Sequence, residues 1–165
     1  MIRPIVRLPD PLLKQPAEPI GPIDETALAL ARDLIDTMRC YEHCVGLAAP
    51  QIGVGRRAFS LDVSGHPKAR SCHGELVLFD PAVLLLHGPV VGREGCMSVP
   101  DMTGDVARAT KVVVRGTTPE GRDRVLEADA FEARALLHEL DHLDGFLFLD
   151  RLVSSDRVFH RKVYR

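Results

Sequence analysis

Apolar side chains at helical spacing predict one amphipathic helix early in the chain. Between Leu28 and Met38 they recur every three or four residues, with charged side chains on the opposite side, as in a helix that packs one face on a core. We expect this helix to begin near Asp24 or Thr26 and to end within residues 41–43. The segment before it is rich in proline and is expected to be extended and irregular.

Runs of β-branched and apolar residues predict strands in the middle of the chain. The expected strands are residues 57–63, 75–86, 111–116 and 124–128. Asp80 and Pro81 interrupt the second of these, which predicts either two short strands or one bent strand. A turn signal at residues 119–121 separates the last two, so we expect those two strands to run back on each other.

A second helix is predicted near the C-terminus. Asp129 is expected to cap its first turn, with Glu132 in the position that completes a capping box. Gly145 falls where a left-handed residue commonly follows a helix end. Beyond it, residues 146–149 are expected to be extended and residues 154–163 to form a short final helix.

The length and composition fit one globular domain. The chain has 165 residues, of which 45% are hydrophobic and 27% charged, and a chain of this kind can bury a sizeable core. Strands between an early and a late helix indicate an α+β fold, with small antiparallel or mixed sheets packed around the later helix.

The charge balance gives no reason to expect nucleic acid or an anionic membrane as a partner. The formal net charge is −2, whereas such partners attract strongly basic surfaces. The first residues contain no apolar run of the kind found in signal peptides. A cytoplasmic location is therefore expected.

The four cysteines are expected to be free thiols. The chain length, the absent signal segment and the irregular spacing all argue against a disulfide framework. Cys40, His43 and Cys44 imitate a metal-binding spacing, but packing at a helix end is their expected role. For Cys72 the expectation is an ordinary small apolar residue. A cysteine with a function would then be a metal ligand or a nucleophile.

The strongest chemical signal is an H-E-x-x-H motif inside the second predicted helix. Its spacing makes His138 and His142 project from one helix face, which suits two ligands of a single metal ion. Glu139 lies between them and stays free to handle protons. The alternative is an amphipathic helix that happens to carry two histidines on its polar face.

The third metal ligand is not fixed by the motif. A metzincin protease would have a third histidine at the position of Phe148, and Glu139 is the last glutamate of the chain, so no later glutamate can serve. Cys96, in a turn-rich segment, is the preferred ligand because a thiolate binds Zn²⁺ or Fe²⁺ well. Three downstream aspartates stay open as alternatives: Asp144, Asp150 and Asp156.

Three segments together resemble the peptide deformylase family. They are residues 46–51 (G-L-A-A-P-Q), 94–98 (E-G-C-M-S) and 138–142 (H-E-L-D-H), in the family's order and with compatible spacing. The opening of the chain, residues 8–13, is also similar. The resemblance implies that residues 1–165 form one catalytic domain, a hydrolase that removes the formyl group from the N-terminal formylmethionine of nascent polypeptides.

The resemblance also implies roles for individual residues. Three of them would hold a divalent metal, with water in the fourth position: Cys96, His138 and His142. Fe²⁺ is the expected metal in the cell, with Zn²⁺, Ni²⁺ or Co²⁺ as alternatives. By similarity, Glu139 is the general acid and base, while Gln51 and the backbone N–H of Met97 stabilise the oxyanion.

These roles agree with elementary chemistry. A metal with an open position lowers the pKa of its bound water, which can then attack the formyl carbon, and Glu139 can carry the proton to the leaving amine. The substrate is expected to be a formylated nascent N-terminus near the ribosome, bound by a monomer. The residues expected to contact it are Val45, Gly46, Glu94, Gly95, Phe131 and Ala135.

Three positions depart from the family pattern. Cys44 replaces a usual glycine, Leu137 replaces a common glutamine, and Thr103 falls where some members carry an arginine near the peptide chain. Cys44 affects the width of the site mouth, Leu137 removes one polar contact near the ligands, and Thr103 changes how the peptide backbone would be held. Cys44 is also a candidate reactive thiol at that mouth.

Two other functions stay open, as does the role of Asp141. One alternative is a zincin-like peptidase in which Cys96 has no part, and the other is a non-catalytic member of the family with a structural metal. For Asp141, we hypothesise an indirect orienting role through Arg108, because ligating histidines usually have an outer partner; an exposed helix carboxylate is the alternative.

Overall fold

The computed structural model describes residues 1–161 and places two helices on opposite faces of one sheet. The helices are α1 (Glu25–Cys40) and α2 (Ala130–Leu143). The strands are β1 (Gly46–Ala48), β2 (Ala58–Leu61), β3 (Leu76–Cys96), β4 (Val99–Thr117), β5 (Asp123–Asp129) and β6 (Val158–His160). Short 3₁₀ turns cover Pro11–Lys14, Ala49–Ile52 and Phe148–Arg151.

The strands join in a single antiparallel sheet rather than several small ones. Its order is β1-β2-β3-β4-β5, and β6 pairs with β4 as well. The α+β class with antiparallel strands is confirmed, and the strands join in one sheet where several small ones were expected. The long β3–β4 hairpin is the reason, because it extends both strands well beyond the expected segments and connects the rest.

The hairpin carries Cys96 to the position next to its turn. Cys96 pairs with Val99, and Met97 and Ser98 form the turn between them. β3 remains one strand in spite of Asp80 and Pro81, which form a bulge in the ladder. Asp80 has a φ of 49° there, so the bent-strand alternative is the correct one.

Helix α1 agrees closely with its sequence pattern. Asp24 caps it by accepting a hydrogen bond from the Ala27 N–H at 2.9 Å, and the helix ends at Cys40, just before the expected end. Its apolar side packs against Val77 and Phe79 of β3. Since strand side chains alternate between faces, the intervening residue Leu78 faces the opposite way, toward α2.

Helix α2 begins and ends as predicted, but the capping box is wrong. Asp129 stands at the N-cap, yet its carboxylate accepts a hydrogen bond from the Ser71 N–H at 2.9 Å. Glu132 likewise accepts hydrogen bonds from Ser71 and His73. The loop of residues 64–74 therefore binds both carboxylates. At the other end of the helix, Gly145 has the expected left-handed φ of 83°.

The segment after α2 differs from the expectation in both of its parts. Within the expected extended piece at 146–149, Leu147 is extended, but Phe148 and Leu149 belong to the 3₁₀ turn Phe148–Arg151. The expected helix at 154–163 contains strand β6 instead. β6 pairs with Met102–Gly104 of β4, so a tertiary partner decides its conformation. The last two positions of the expected helix lie outside the described residues.

The core between α2 and the sheet positions the H-E-x-x-H segment. Leu136, Leu140 and Leu143 of α2 lie in one apolar cluster with Phe59 and Leu78 of the sheet. This packing fixes the helix and leaves its polar face turned toward the end of the β3–β4 hairpin. Within residues 1–161, no helix combines the length and apolar content that a bilayer span requires.

Candidate metal centre and active-site cavity

Two elements that are distant in sequence bring three potential metal ligands together. Cys96 comes from the end of β3, and His138 and His142 come from α2. One ligand atom of each lies within 4.8 Å of the others, and Cys96 Sγ is 3.4 Å from His142 Nε2. Downstream aspartates are not part of this group among the described residues, so the preference for Cys96 agrees with the geometry.

The donor set fits a divalent metal. Bonds of about 2.3 Å to sulfur and about 2.0 Å to nitrogen in a tetrahedral arrangement put S and N roughly 3.5 Å apart, close to the observed spacing. Burial alone would raise the pKa of the Cys96 thiol, but attraction to His142 and His138 lowers it well below its ordinary value. The sulfur therefore has the thiolate character that a ligand needs.

Glu139 lies beside these ligands with one carboxylate oxygen unpaired. Among the described residues, its buried Oε2 has no hydrogen-bond partner. Burial raises the pKa of Glu139 to about 7, and a cation in the site would oppose that rise. Gly46 packs against it so closely that a Cβ at position 46 would lie 2.7 Å from Glu139 Oε1. The missing side chain at 46 thus makes room for the carboxylate.

A buried chain of charges orients His138. Its Nδ1 lies 2.9 Å from Glu94 Oε1, which leaves Nε2 directed at the ligand cluster. Arg108 donates to both oxygens of Glu94, at 2.8 and 3.0 Å, and to Asp141 at 2.5 Å. Burial alone would raise the pKa of Glu94, but its bonds with His138 and Arg108 hold it well below its ordinary value.

Gln51 is held rigidly against the same centre. Its Oε1 accepts a hydrogen bond from the Ala48 N–H at 3.0 Å. Its Nε2 donates to Ser98 Oγ at 3.2 Å and points at Cys96 Sγ at 3.4 Å. The accepted bond fixes which end of the amide is the donor, and that donor end faces the ligand cluster.

An open cavity of about 720 Å³ leads to this centre. It reaches His138 and Glu139, and Gln51 and Met97 line it as well. All six residues expected to contact substrate are found in its wall: Val45, Gly46, Glu94, Gly95, Phe131 and Ala135. Val45 and Phe131 also pack against the core, and Ala135 belongs to it, so for these three the core and cavity roles coincide.

The family's sequence model gives the deciding comparison. The description "polypeptide deformylase" applies to the family model that matches residues 2–158. The chain belongs to this family. It is therefore a hydrolase of the deformylase type, with a site suited to a divalent metal.

Individual deformylases support the assignment. A peptide deformylase of Acidobacterium capsulatum is 40% identical over 158 residues, covering 95% of this chain and 90% of its own length. The actinonin complex of the Ehrlichia chaffeensis deformylase has a TM-score of 0.86 at 29% identity, covering 94% and 91% of the two chains. A Met-Ala-Ser complex of a class I type b deformylase from Acinetobacter baumannii has a TM-score of 0.84 at 30% identity, with coverages of 92% and 99%.

The three departures have distinct surroundings in this deformylase. Cys44 lines the cavity, but burial and then the charge of Glu139 raise its pKa to about 12, which disfavours the thiolate that a reactive cysteine needs. Leu137, a residue of α2, packs against the core cluster. Thr103 pairs with Gly95 and with Phe159 in the sheet.

Several groups at the deformylase centre were not identified from the sequence. Ser98 hydrogen-bonds to Gln51, and Arg134 binds Glu94. His66 stacks on Phe131 with ring centroids 3.7 Å apart, and Arg161 lies in the cavity wall. His66 and Arg161 reach the site only through contacts that are distant in sequence. Arg134 lies one turn before His138 on α2, and Ser98 lies within the segment of residues 94–98, but neither was assigned a role from the sequence. Glu94 was expected to contact the substrate, and the sequence did not indicate that its oxygens bind His138, Arg108 and Arg134.

Proposed function

We propose that this deformylase acts on the formylated N-termini of nascent polypeptides, with Glu139 moving the proton. The observation that carries the proposal is the position of the Glu139 carboxylate, beside three potential metal ligands and next to the cavity that Gln51 lines. An amide hydrolase needs both a proton carrier and oxyanion donors at one point, and these residues supply them.

Cys96, His138 and His142 would hold the metal. When bound, it supplies Lewis-acid chemistry that polarises a carbonyl and acidifies water. Glu139 takes a proton at its unpaired Oε2 and delivers it to the leaving amine. The Gln51 amide and the Met97 N–H stabilise the oxyanion, each such donor being worth about 3 kcal/mol in known cases.

The substrate side of the proposal rests on the cavity wall. Val45, Phe131 and Ala135 give an apolar surface for the methionine side chain, while Gly46 and Gly95 let the substrate backbone approach closely. A Met-Ala-Ser peptide occupies the Acinetobacter baumannii deformylase, which supports a peptide substrate here. Glu94 acts indirectly, by holding His138.

We further propose that Fe²⁺ is the metal in the cell and that residues 1–165 form one catalytic domain. The soft thiolate and two imidazoles suit Fe²⁺ as well as Zn²⁺, Ni²⁺ or Co²⁺. One chain completes the cavity, which supports a monomer. Because nascent chains emerge from the ribosome, a protein that acts on them is expected to work in the cytoplasm, close to the ribosome.

The direct test is deformylation of a short formyl-Met peptide by protein loaded with Fe²⁺ or Ni²⁺ under low oxygen. We expect Glu139→Gln to keep its metal and to lose roughly 10²–10⁴-fold in kcat, the usual contribution of general acid–base catalysis. Loss of metal from that variant would show that Glu139 has a different role. Metal-loaded wild-type protein that does not turn over would favour a non-catalytic member.

Cys96→Ser separates the proposal from a zincin-like peptidase. A peptidase site without Cys96 would keep its metal content in this variant, whereas the Cys-His-His site is expected to lose most of its affinity. A purely structural metal normally has four protein ligands. Among the described residues the cluster offers three, which supports an open catalytic position.

We propose that Asp141 acts on the metal through Arg108 and Glu94. The chain of hydrogen bonds runs from Asp141 to Arg108, then to Glu94 and to His138. Removing an outer partner of a metal ligand costs about 10–100-fold in affinity, so Glu94→Gln is expected to lose that much and Asp141→Ala somewhat less. Metal titration against a competing chelator measures both, and unchanged affinity in Asp141→Ala would reject its role.

A further inference from the structure

Three arginines line the cavity, and their charges are compensated differently. Arg93 donates to Asp105 at 2.8 Å, and Arg134 donates to Glu94 at 2.7 Å. Arg161 has no carboxylate within ion-pair distance among residues 1–161. The wall therefore presents one guanidinium whose charge the described part of the fold leaves uncompensated.

The position of Arg161 is fixed by the sheet. Its backbone N–H donates to the Asp101 carbonyl at 2.8 Å, which continues the pairing of β6 with β4. The guanidinium lies over Gly95, since a Cβ at that position would be 3.1 Å from Arg161 Cζ and would overlap Nη2. Gly95 immediately precedes Cys96, so this charge borders the metal centre.

Most groups of the substrate that match a guanidinium lie beyond its first residue, since the formyl oxygen is assigned to the Gln51 and Met97 donors. The formylmethionine residue has a blocked amine and an apolar side chain, and neither attracts a cation. The residues after it carry carbonyl oxygens and, in a short peptide, a terminal carboxylate. A guanidinium binds such oxygens with paired N–H donors.

We propose that Arg161 holds the peptide chain that follows the formylmethionine, by donating to its carbonyl or carboxylate oxygens. This assignment rests on the proposed function. It makes Arg161 a specificity-determining residue that favours peptides over free formylmethionine derivatives. It also gives the C-terminal strand a part in substrate binding, through a residue that no motif marks.

The test measures binding of the product peptide Met-Ala-Ser to Ni²⁺-loaded full-length protein by calorimetry. We expect Arg161→Ala to weaken binding about tenfold, the loss expected for one charge-assisted hydrogen-bonded contact, and Arg161→Lys to recover part of it. Arg157→Ala is the matched control, because Arg157 belongs to the same C-terminal segment but pairs with Asp105. It is expected to bind as the wild type does.

A C-terminally amidated Met-Ala-Ser identifies the contacted oxygens. An Arg161 effect that persists with the amide assigns the contact to a backbone carbonyl, and one that disappears assigns it to the carboxylate. Kinetics give a second measurement: KM for formyl-Met-Ala-Ser is expected to rise about tenfold in Arg161→Ala, while values for formyl-methioninamide stay constant.

Two kinds of result would overturn the assignment. One is wild-type affinity of Arg161→Ala for Met-Ala-Ser, or a wild-type protein that binds no peptide. The other is an equal loss with formyl-methioninamide, which would indicate a general structural role. If the wild type binds Met-Ala-Ser but deformylates nothing, the proposed function fails while the binding comparison still decides the role of Arg161.

Discussion

Gly46 shows how one absent side chain shapes the chemistry. Its backbone borders the Glu139 carboxylate, with a hypothetical Cβ only 2.7 Å from Oε1 and 3.1 Å from Cδ. The carboxylate is buried in the helix–sheet junction and cannot move into solvent. The position of the proton carrier therefore depends on a glycine in another element.

Gly46→Ala is expected to lower kcat by about 10²-fold, because a displacement of about 1 Å in a catalytic group can cost that much. Metal content should not change, since the atoms nearest to a Cβ at position 46 belong to Glu139 and not to the three ligands. Deformylation kinetics and metal analysis on the same preparation measure both effects. Gly55→Ala is the matched control, because its Cβ would meet only Leu12 Cδ1 at an ordinary 3.4 Å. Wild-type kcat in Gly46→Ala would contradict the close packing.

At the scale of residues, motif positions were predictable and their partners were not. His138, Glu139 and His142 follow from spacing on one helix, since a 3.6-residue period fixes which side chains share a face. Arg161 follows from no such rule, because strand pairing brings it to the centre from elsewhere. Ser98 lies in the segment of residues 94–98, but its hydrogen bond to Gln51 depends on where the hairpin turn is placed. Glu94, the hydrogen-bond partner of His138, was predicted only as a residue that contacts the substrate. Nothing in its local sequence indicates a hydrogen bond to α2.

At the scale of elements, α2 is held at its N-terminal end by a loop. Glu132 is buried, at 1% exposure, and accepts hydrogen bonds from Ser71 Oγ and the His73 N–H, both at 2.8 Å. The same loop stacks His66 on Phe131. A single carboxylate thus ties the loop, the first turn of α2 and one wall of the cavity together.

Glu132→Gln is expected to lower the free energy of unfolding by about 1–3 kcal/mol, because the amide nitrogen cannot accept and leaves a buried donor unpaired. Urea denaturation measures this loss. Glu127→Gln is the control: Glu127 is exposed on β5, and such surface changes usually stay within about 0.5 kcal/mol. If both variants unfold at the same urea concentration, Glu132 does not anchor the loop.

The elements that were predicted poorly from the sequence are those whose conformation depends on a tertiary partner. α1 has its own periodicity and a side-chain cap, and α2 has its own periodicity and a glycine after its last turn, so their bounds were close to correct. β6 was expected to be helical, and it is a strand because β4 offers it an edge at Met102–Gly104. The capping box at Asp129 failed for a similar reason, since Ser71 of a distant loop competes for that carboxylate. Local propensity is a weak guide wherever a tertiary partner is available.

At the scale of the whole molecule, the metal centre joins parts of the core that are otherwise separate. Cys96 belongs to an apolar cluster with Val106 and Phe148, whereas Leu136 and Leu140 of α2 belong to a second cluster. A metal bound by Cys96, His138 and His142 would link the two clusters directly. The clusters themselves are large and do not depend on that link, so the apoprotein should fold.

Removing the metal is therefore expected to lower Tm without unfolding the chain. A ligand present at a thousand times its Kd stabilises the native state by about 4 kcal/mol, which corresponds to a Tm shift of about 8–16 °C for a protein of this size. Scanning calorimetry of loaded and chelator-treated protein gives the shift. Glu139→Gln should keep it, because the ligands are intact, and Cys96→Ser should lose most of it. Complete unfolding on chelation would mean that the two clusters cannot hold the fold alone, and an unchanged Tm would mean that the three residues do not bind the metal together.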